Sequence, residues 1–310
     1  MFEILFAGTG ASIPSRSRSL PCIAIKHGRS LTLFDCGEGS QRQLMVSRFS
    51  FMRVDRIFIT HMHGDHVLGL PGLLLTMGLS GRREPVQLFG PKGISLTINS
   101  MLDACEGELE FELIVHEMEP GDVERFNGFS VSAFRTEHNC PSLGYLYKED
   151  DRSGSFDKEK AMRFGLKPGP DFSAIQRGEE VRGISPEMII GEKRPGLSLA
   201  YPGDTLICDS VSEAIRGVDV LIHEGTYLEK DSELAVAHFH STIKDVAKMA
   251  KEAGVRQLMI VHVSNRYGEE SGPSIEASTY FEGSIIPKDQ DIYMVCDGGV
   301  RLVSEDPTSL

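Results

Sequence analysis

The chain has 310 residues, with 32 Lys and Arg against 45 Asp and Glu, a formal net charge of −13. That balance excludes a protein that coats nucleic acid through a broad basic surface; an RNA partner would have to meet local basic patches. With 40% hydrophobic and 25% charged residues, the composition suits one α/β domain carrying an insertion, or two small domains. No run approaches the ~18 consecutive apolar residues of a membrane-spanning helix. Met1–Gly10 lacks the basic lead and apolar stretch of a signal peptide, so the expectation is a cytoplasmic protein with no membrane partner. Six cysteines (Cys22, Cys36, Cys105, Cys140, Cys208 and Cys296) occur without any C-x-x-C pair and read as free, mostly buried thiols.

In chain order, residues 3–6 read as a strand, residues 8–21 as a Gly/Ser/Pro loop, and 23–26 and 30–34 as two further strands. Gly8-Thr9-Gly10 lacks the third glycine of a dinucleotide loop, since Ile13 stands there, and reads as a tight turn. A short helix over 37–49 precedes a buried strand at 56–60, and an apolar stretch over 69–80 suits a helix packed on a sheet. Strands at 85–89 and 129–134 flank a helix at 94–104. Residues 149–196 are charged and rich in Gly and Pro, with a helical stretch at 157–164 and the tight Lys167-Pro168-Gly169-Pro170. This is too long for an ordinary connection and reads as an arm leaving the domain. The globular pattern resumes with strands at 197–201, 218–223, 257–262 and 291–296 and helices at 210–215 and 243–253. Alternating strands and helices on both sides of the arm suggest helices covering sheet faces.

The chemistry concentrates at strand ends. His61, His63, Asp65 and His66 form an H-x-H-x-D-H cluster on a tight loop after the strand at 56–60. Nitrogen and oxygen donors at this density suit zinc, and two metals if further ligands arrive from elsewhere. His138, Asp204 and His262 each follow another apolar strand, where open α/β sheets place their ligand sites. Together they make seven donors, enough for two metals and one bridging carboxylate.

This pattern resembles the metallo-β-lactamase superfamily and, within it, the ribonuclease Z family of precursor-tRNA 3′ endonucleases. The likeness runs along nearly the whole chain, through Leu5-Phe6-Ala7-Gly8-Thr9-Gly10, Phe34-Asp35-Cys36-Gly37-Glu38, the histidine cluster, Gly90-Pro91-Lys92-Gly93 and His240-Ser241-Thr242. The resemblance implies a four-layer αββα sandwich over residues 1–310, with residues 149–196 as a protruding tRNA-binding arm. It implies two Zn²⁺ per subunit: His61, His63 and His138 on one, Asp65, His66 and His262 on the other, and Asp204 bridging them. It further implies that Asp65 orients the attacking water or takes its proton. His240, paired with Glu224, would protonate the leaving 3′ oxygen, leaving a 3′-hydroxyl on the tRNA. RNA contacts would fall to Arg16 and Arg18 and to Lys167, Gly169 and Pro170 of the arm, and the subunit would work as a homodimer. The alternative within the same fold is a hydrolase of thioesters, lactones or cyclic phosphodiesters, which needs no arm. Three features depart from the family's usual pattern. Pro14-Ser15-Arg16-Ser17-Arg18-Ser19 stands where Pro-x-Lys-x-Arg-Asn is usual, and Gly225 stands where Ala is preferred. The arm is only mildly basic, with seven Lys and Arg against five Asp and Glu over 152–182, a balance of +2.

Overall fold

The computed structural model describes residues 1–268 and 271–303. In the first part of the chain β1 (Phe2–Gly8), β2 (Cys22–His27), β3 (Ser30–Phe34), β4 (Val54–Phe58), β5 (Val86–Pro91) and β6 (Leu113–Met118) are laid down in turn. Helices α1 (Ser40–Val46), α2 (Gly64–Val67), α3 (Leu70–Leu79) and α4 (Ile94–Ala104) fill the connections. There follow β7 (Val123–Phe126), β8 (Phe129–Arg135) and β9 (Leu143–Glu149), then α5 (Lys158–Arg163) and α6 (Pro170–Gln176). Next come β10 (Ser198–Tyr201), α7 (Asp209–Ala214), β11 (Val220–Glu224), α8 (Ser232–Ala237), α9 (Ile243–Glu252), β12 (Gln257–Val261) and α10 (Gly272–Tyr280). Finally β13 (Ile292–Cys296) and β14 (Gly299–Leu302) return to the first sheet. That sheet runs β14-β13-β1-β2-β3-β4-β5-β6, and the second runs β12-β11-β10-β9-β8-β7.

Side-chain alternation explains why the sheets stack. Phe2, Ile4 and Phe6 of β1 enter a core between the sheets with Tyr145, Tyr147 and Val220. Leu5 and Ala7, on the opposite face, join Leu70, Leu73, Met77 and Ile98 of the covering helices. In the second sheet, Val220 and Ile222 face inward, while Leu221 packs outward with Val246 and Ala250 of α9. Both sheets are therefore buried on both faces, and the layers run αββα as expected.

Several elements differ from the sequence reading. The strand expected over 56–60 ends at Phe58, because the backbone N–H of Thr60 leaves the ladder and donates to Asp35 at 2.8 Å. Strands β6, β7 and β14 and helices α6, α8 and α10 were not anticipated; β7 and β14 are four residues each and half exposed, and carry little periodic signal. The six cysteines are free, but only Cys22 and Cys36 are buried; Cys105 is exposed and the other three are partly so. No helix among the described residues is long and apolar enough to cross a membrane.

Residues 150–197 leave between β9 and β10. Helix α5 is capped by Asp157, whose side chain accepts from the Lys160 N–H at 2.9 Å. Gly169, at φ 106° and ψ −120°, makes a turn that only glycine tolerates well, and Pro170 opens α6. Ala161, Leu166, Ile175, Ile184 and Ile189 form a small core of the segment's own. Its root lies at the β7–β8 turn, beside the end of β2: Asp150 N–H donates to the Gly128 carbonyl at 2.9 Å, Glu149 lies 3.5 Å from His27 and pairs with the N-terminus, and Arg152 and Arg194 pair with Asp297.

Candidate active site

Strands β3, β4, β8, β10, β11 and β12 all end at one edge of the sandwich, and the seven expected donors converge there. His61 follows β4, His138 follows β8, Asp204 follows β10 and His262 follows β12. His61 Nε2 and His138 Nε2 lie 3.1 and 3.2 Å from His63 Nδ1. Asp204 Oδ2 sits 3.3 Å from His66 Nε2, 3.4 Å from His262 Nε2 and 3.8 Å from His61 Nε2, between the two groups. Asp65 Oδ2 is 3.4 Å from His262 Nε2 and 3.6 Å from His66 Nε2. Ligand atoms of His61, His63 and His138 lie within 4.8 Å of one another, as do those of Asp65, His66, Asp204 and His262; the Cys140 sulphur joins the first group.

The residues behind these donors decide which nitrogen carries the proton. His66 Nδ1 donates to Asp35 at 2.7 Å, and its Nε2 is buried without a hydrogen-bond partner. His138 Nδ1 donates to the Phe239 carbonyl at 2.9 Å. Thr60 Oγ1 donates to Asp35 and accepts from His61 Nδ1 at 3.0 Å. Thr226 Oγ1 donates to Glu224 at 2.7 Å and accepts from His262 Nδ1 at 2.8 Å. Four imidazoles thus hold their protons outward and aim bare Nε2 lone pairs inward, the arrangement that metal-binding histidines adopt. The donor set therefore fits two divalent cations.

The electrostatics agree. Burial pushes His61 well below the ordinary histidine range, as it lowers His138, so both rings are neutral donors. Burial opposes charge on His66 as well, but Asp204 and Asp35 outweigh it and raise it, so positive charge is favoured beside these two carboxylates. Burial would raise Asp204, yet the surrounding His262, His66 and His61 hold it far below the usual carboxylate range.

Beside the donors, Glu224 closes β11 and is 1% exposed. It accepts from the N–H groups of Thr205, Thr226 and Ser241 at 3.2, 2.9 and 3.0 Å and from His240 Nδ1 at 3.0 Å. Burial lowers His240, but Glu224 more than offsets this and pushes it up to about 9. Thr242 caps α9, its side chain accepting from the Asp245 N–H, which leaves His240 free for Glu224. Gly225 is fixed by space: a Cβ there would meet Ile260 Cγ2 at 2.5 Å and Ile243 Cγ1 at 2.8 Å.

Backbone strain gathers at the same place. Asp35, Phe239 and His262 have φ of 59°, 59° and 55°, left-handed conformations that cost a non-glycine residue roughly 1–2 kcal/mol. Asp35, Thr226 and Phe239 were not singled out from sequence. Of these, Asp35 had a signal, a carboxylate directly after the apolar strand at 30–34.

The remaining residues of interest are not among the converging donors, although the loop of Arg16 and Arg18 reaches them through the Ser12 N–H, which donates to Asp65 at 3.0 Å. Arg16 is exposed, whereas the Arg18 guanidinium turns inward, donating to Thr9 Oγ1 at 2.6 Å and to the Pro287 carbonyl at 3.1 Å. Lys167, Gly169 and Pro170 are exposed on the arm. His238 sits 2.7 Å from the Tyr227 hydroxyl, His27 packs edge-on against Phe129, and His116 stacks on Phe89.

A family model described as "Beta-lactamase superfamily domain" matches residues 188–263, and one described as "Anti-Pycsar protein Apyc1" matches residues 2–154. The chain is 42% identical over 296 residues to ribonuclease Z of Methanosarcina mazei, covering 93% of this chain and 96% of that protein. It is 40% identical over 296 residues to ribonuclease Z of Archaeoglobus fulgidus, with the same coverage. Among solved structures, the short form of human tRNase Z superposes with a TM-score of 0.71 at 27% identity, covering 95% of this chain and 99% of that one. A diphosphatase of the PhnP family superposes at 0.62 with 16% identity, over 94% of this chain and 97% of that one, and shares the fold. With four-tenths of its residues matched along almost its whole length, the chain belongs to the ribonuclease Z family.

Proposed function

We propose that the chain is a metal-dependent endoribonuclease that removes the 3′ trailer from precursor tRNA, leaving a 3′-hydroxyl on the tRNA. The observation that carries this reading is the set of four buried or half-buried imidazoles whose Nδ1 atoms meet outward partners, which leaves Nε2 as the donor atom turned toward the site. His61, His63 and His138 would hold one zinc ion and Asp65, His66 and His262 the other, with Asp204 between them. Such cations, when bound, lower the pKa of water and offset charge developing on the phosphate. Asp65 orients the attacking water and takes its proton as the new P–O bond forms. His240, held protonated by Glu224, gives its proton to the 3′ oxygen as the P–O3′ bond breaks. Arg16 would place the RNA end, with Arg18, turned inward onto Thr9 and Pro287, holding its loop, and Lys167, Gly169 and Pro170 would grip the tRNA body from the arm. The family's expected homodimer and a cytoplasmic location belong to the same reading.

The arm favours RNA over thioesters, lactones or cyclic phosphodiesters, because a small substrate has no use for an excursion of this size with a small core of its own. The test incubates the zinc-loaded protein with end-labelled precursor tRNA, with and without chelator, beside Asp65→Ala. Trailer release that chelator and Asp65→Ala both abolish is the expected result; an intact trailer under every metal condition would overturn the assignment.

A further inference from the structure

At the end of the sandwich opposite the donors, a cleft of about 1070 Å³ opens beside the β2–β3 turn. It shares Arg29, Ser30 and Arg53 with a smaller one of about 210 Å³, so the two form one groove. Lys26, Arg29, Arg48, Arg53 and Arg56 line it. Glu3 pairs with both Lys26 and Arg48, and Asp55 reaches Arg56 at 4.0 Å, so two carboxylates answer five cations. Arg82, on the far wall, pairs with Asp55 at 3.3 Å and with Glu84 at 3.7 Å, so with it included three carboxylates answer six cations. Among the described residues, Arg29 and Arg53 make no ion pair, and both are exposed. Arg56 lies over the Phe126 ring at 4.3 Å, and its buried Nε has no hydrogen-bond partner. A chain of net charge −13 here gathers uncompensated guanidinium groups in one concave strip despite their mutual repulsion, and the strip has the character of a polyanion site.

Its position supplies the second argument. β3 starts at the groove with Ser30 and ends next to Asp35, so the groove lies on the order of 17 Å from the donors along a five-residue strand. The arm is rooted at the same end, where Asp150 meets Gly128 and Glu149 lies 3.5 Å from His27 on the groove's rim. Groove and arm therefore face solvent together, away from the cutting site. We infer that the groove binds the phosphate backbone of RNA, extending the arm's grip across the body of the domain. The inference rests on the ribonuclease reading for the identity of the polyanion.

The test compares wild type with the double variant Arg29→Glu/Arg53→Glu, both zinc-loaded and full length, in binding fluorescently labelled mature tRNA, which has no trailer to lose. Binding by the double variant is expected to weaken at least tenfold at low salt. The slope of log Kd against log salt is expected to shrink by about two, one for each phosphate contact removed. Hydrolysis of bis(p-nitrophenyl) phosphate should be unchanged, since neither residue approaches the donors. Arg29→Ala/Arg53→Ala, which adds no negative charge, serves as the gentler variant and should show the same reduction in slope. Unchanged affinity and slope in both variants would overturn the groove. Trailer cleavage by wild type is read separately: if it fails while the variants still lose tRNA binding, the ribonuclease reading falls and the groove stands.

Discussion

Asp35 touches no expected ligand position on the solvent side, yet it organises the site from behind. Its carboxylate accepts from the Thr60 backbone N–H and Oγ1, from His66 Nδ1 at 2.7 Å and from the Tyr201 hydroxyl at 2.9 Å. Replacing one oxygen by an amide removes an acceptor from His66 and frees that ring to take the other tautomer. Asp35→Asn is therefore expected to weaken zinc affinity 10–100-fold, the usual size of such losses, as read by calorimetric titration of zinc into the chelated protein. Unaltered affinity would show that His66 needs no such support. The convergence of these donors was legible in the sequence because packing alone seldom sets donors this densely, or repeats them just past apolar strands. Asp35 and Thr226 were not, since each takes its role from partners many residues away. A lone carboxylate or hydroxyl after a strand has the same local signature whether it orients a ligand or meets water.

At the scale of elements, the legible parts were those with strong periodicity. The helix at Ile94–Ala104 and the strand at Ser30–Phe34 match expectation residue for residue. The losses were short or half-exposed, as with β7, whose four residues alternate between exposed and partly buried. The turn after β11 shows how packing overrides family habit. The Ala that the family prefers at position 225 would push into Ile260 of β12 and Ile243 of α9. Gly225→Ala is expected to lower stability by about 1–3 kcal/mol, as overpacking does, measured by urea unfolding of the zinc-loaded protein. A neutral effect would mean that α9 can slide to admit a methyl group.

Across the whole molecule, cutting and gripping are assigned to opposite ends. The donors collect where β3 and β4 finish, and the arm departs where β9 finishes, beside the N-terminus and Asp297. Removal of residues 152–190 is expected to reduce precursor-tRNA cleavage by at least 100-fold while sparing bis(p-nitrophenyl) phosphate hydrolysis, with the two rates measured on one preparation. Equal loss of both would make the segment a folding element. The separation has a genetic consequence in the proposed dimer. Where one subunit's arm serves its partner's donors, an armless subunit keeps its blade and an Asp65→Ala subunit keeps its handle; each cleaves precursor tRNA poorly alone, and their mixture is expected to regain cleavage. No recovery on mixing would mean that each arm serves its own subunit's donors.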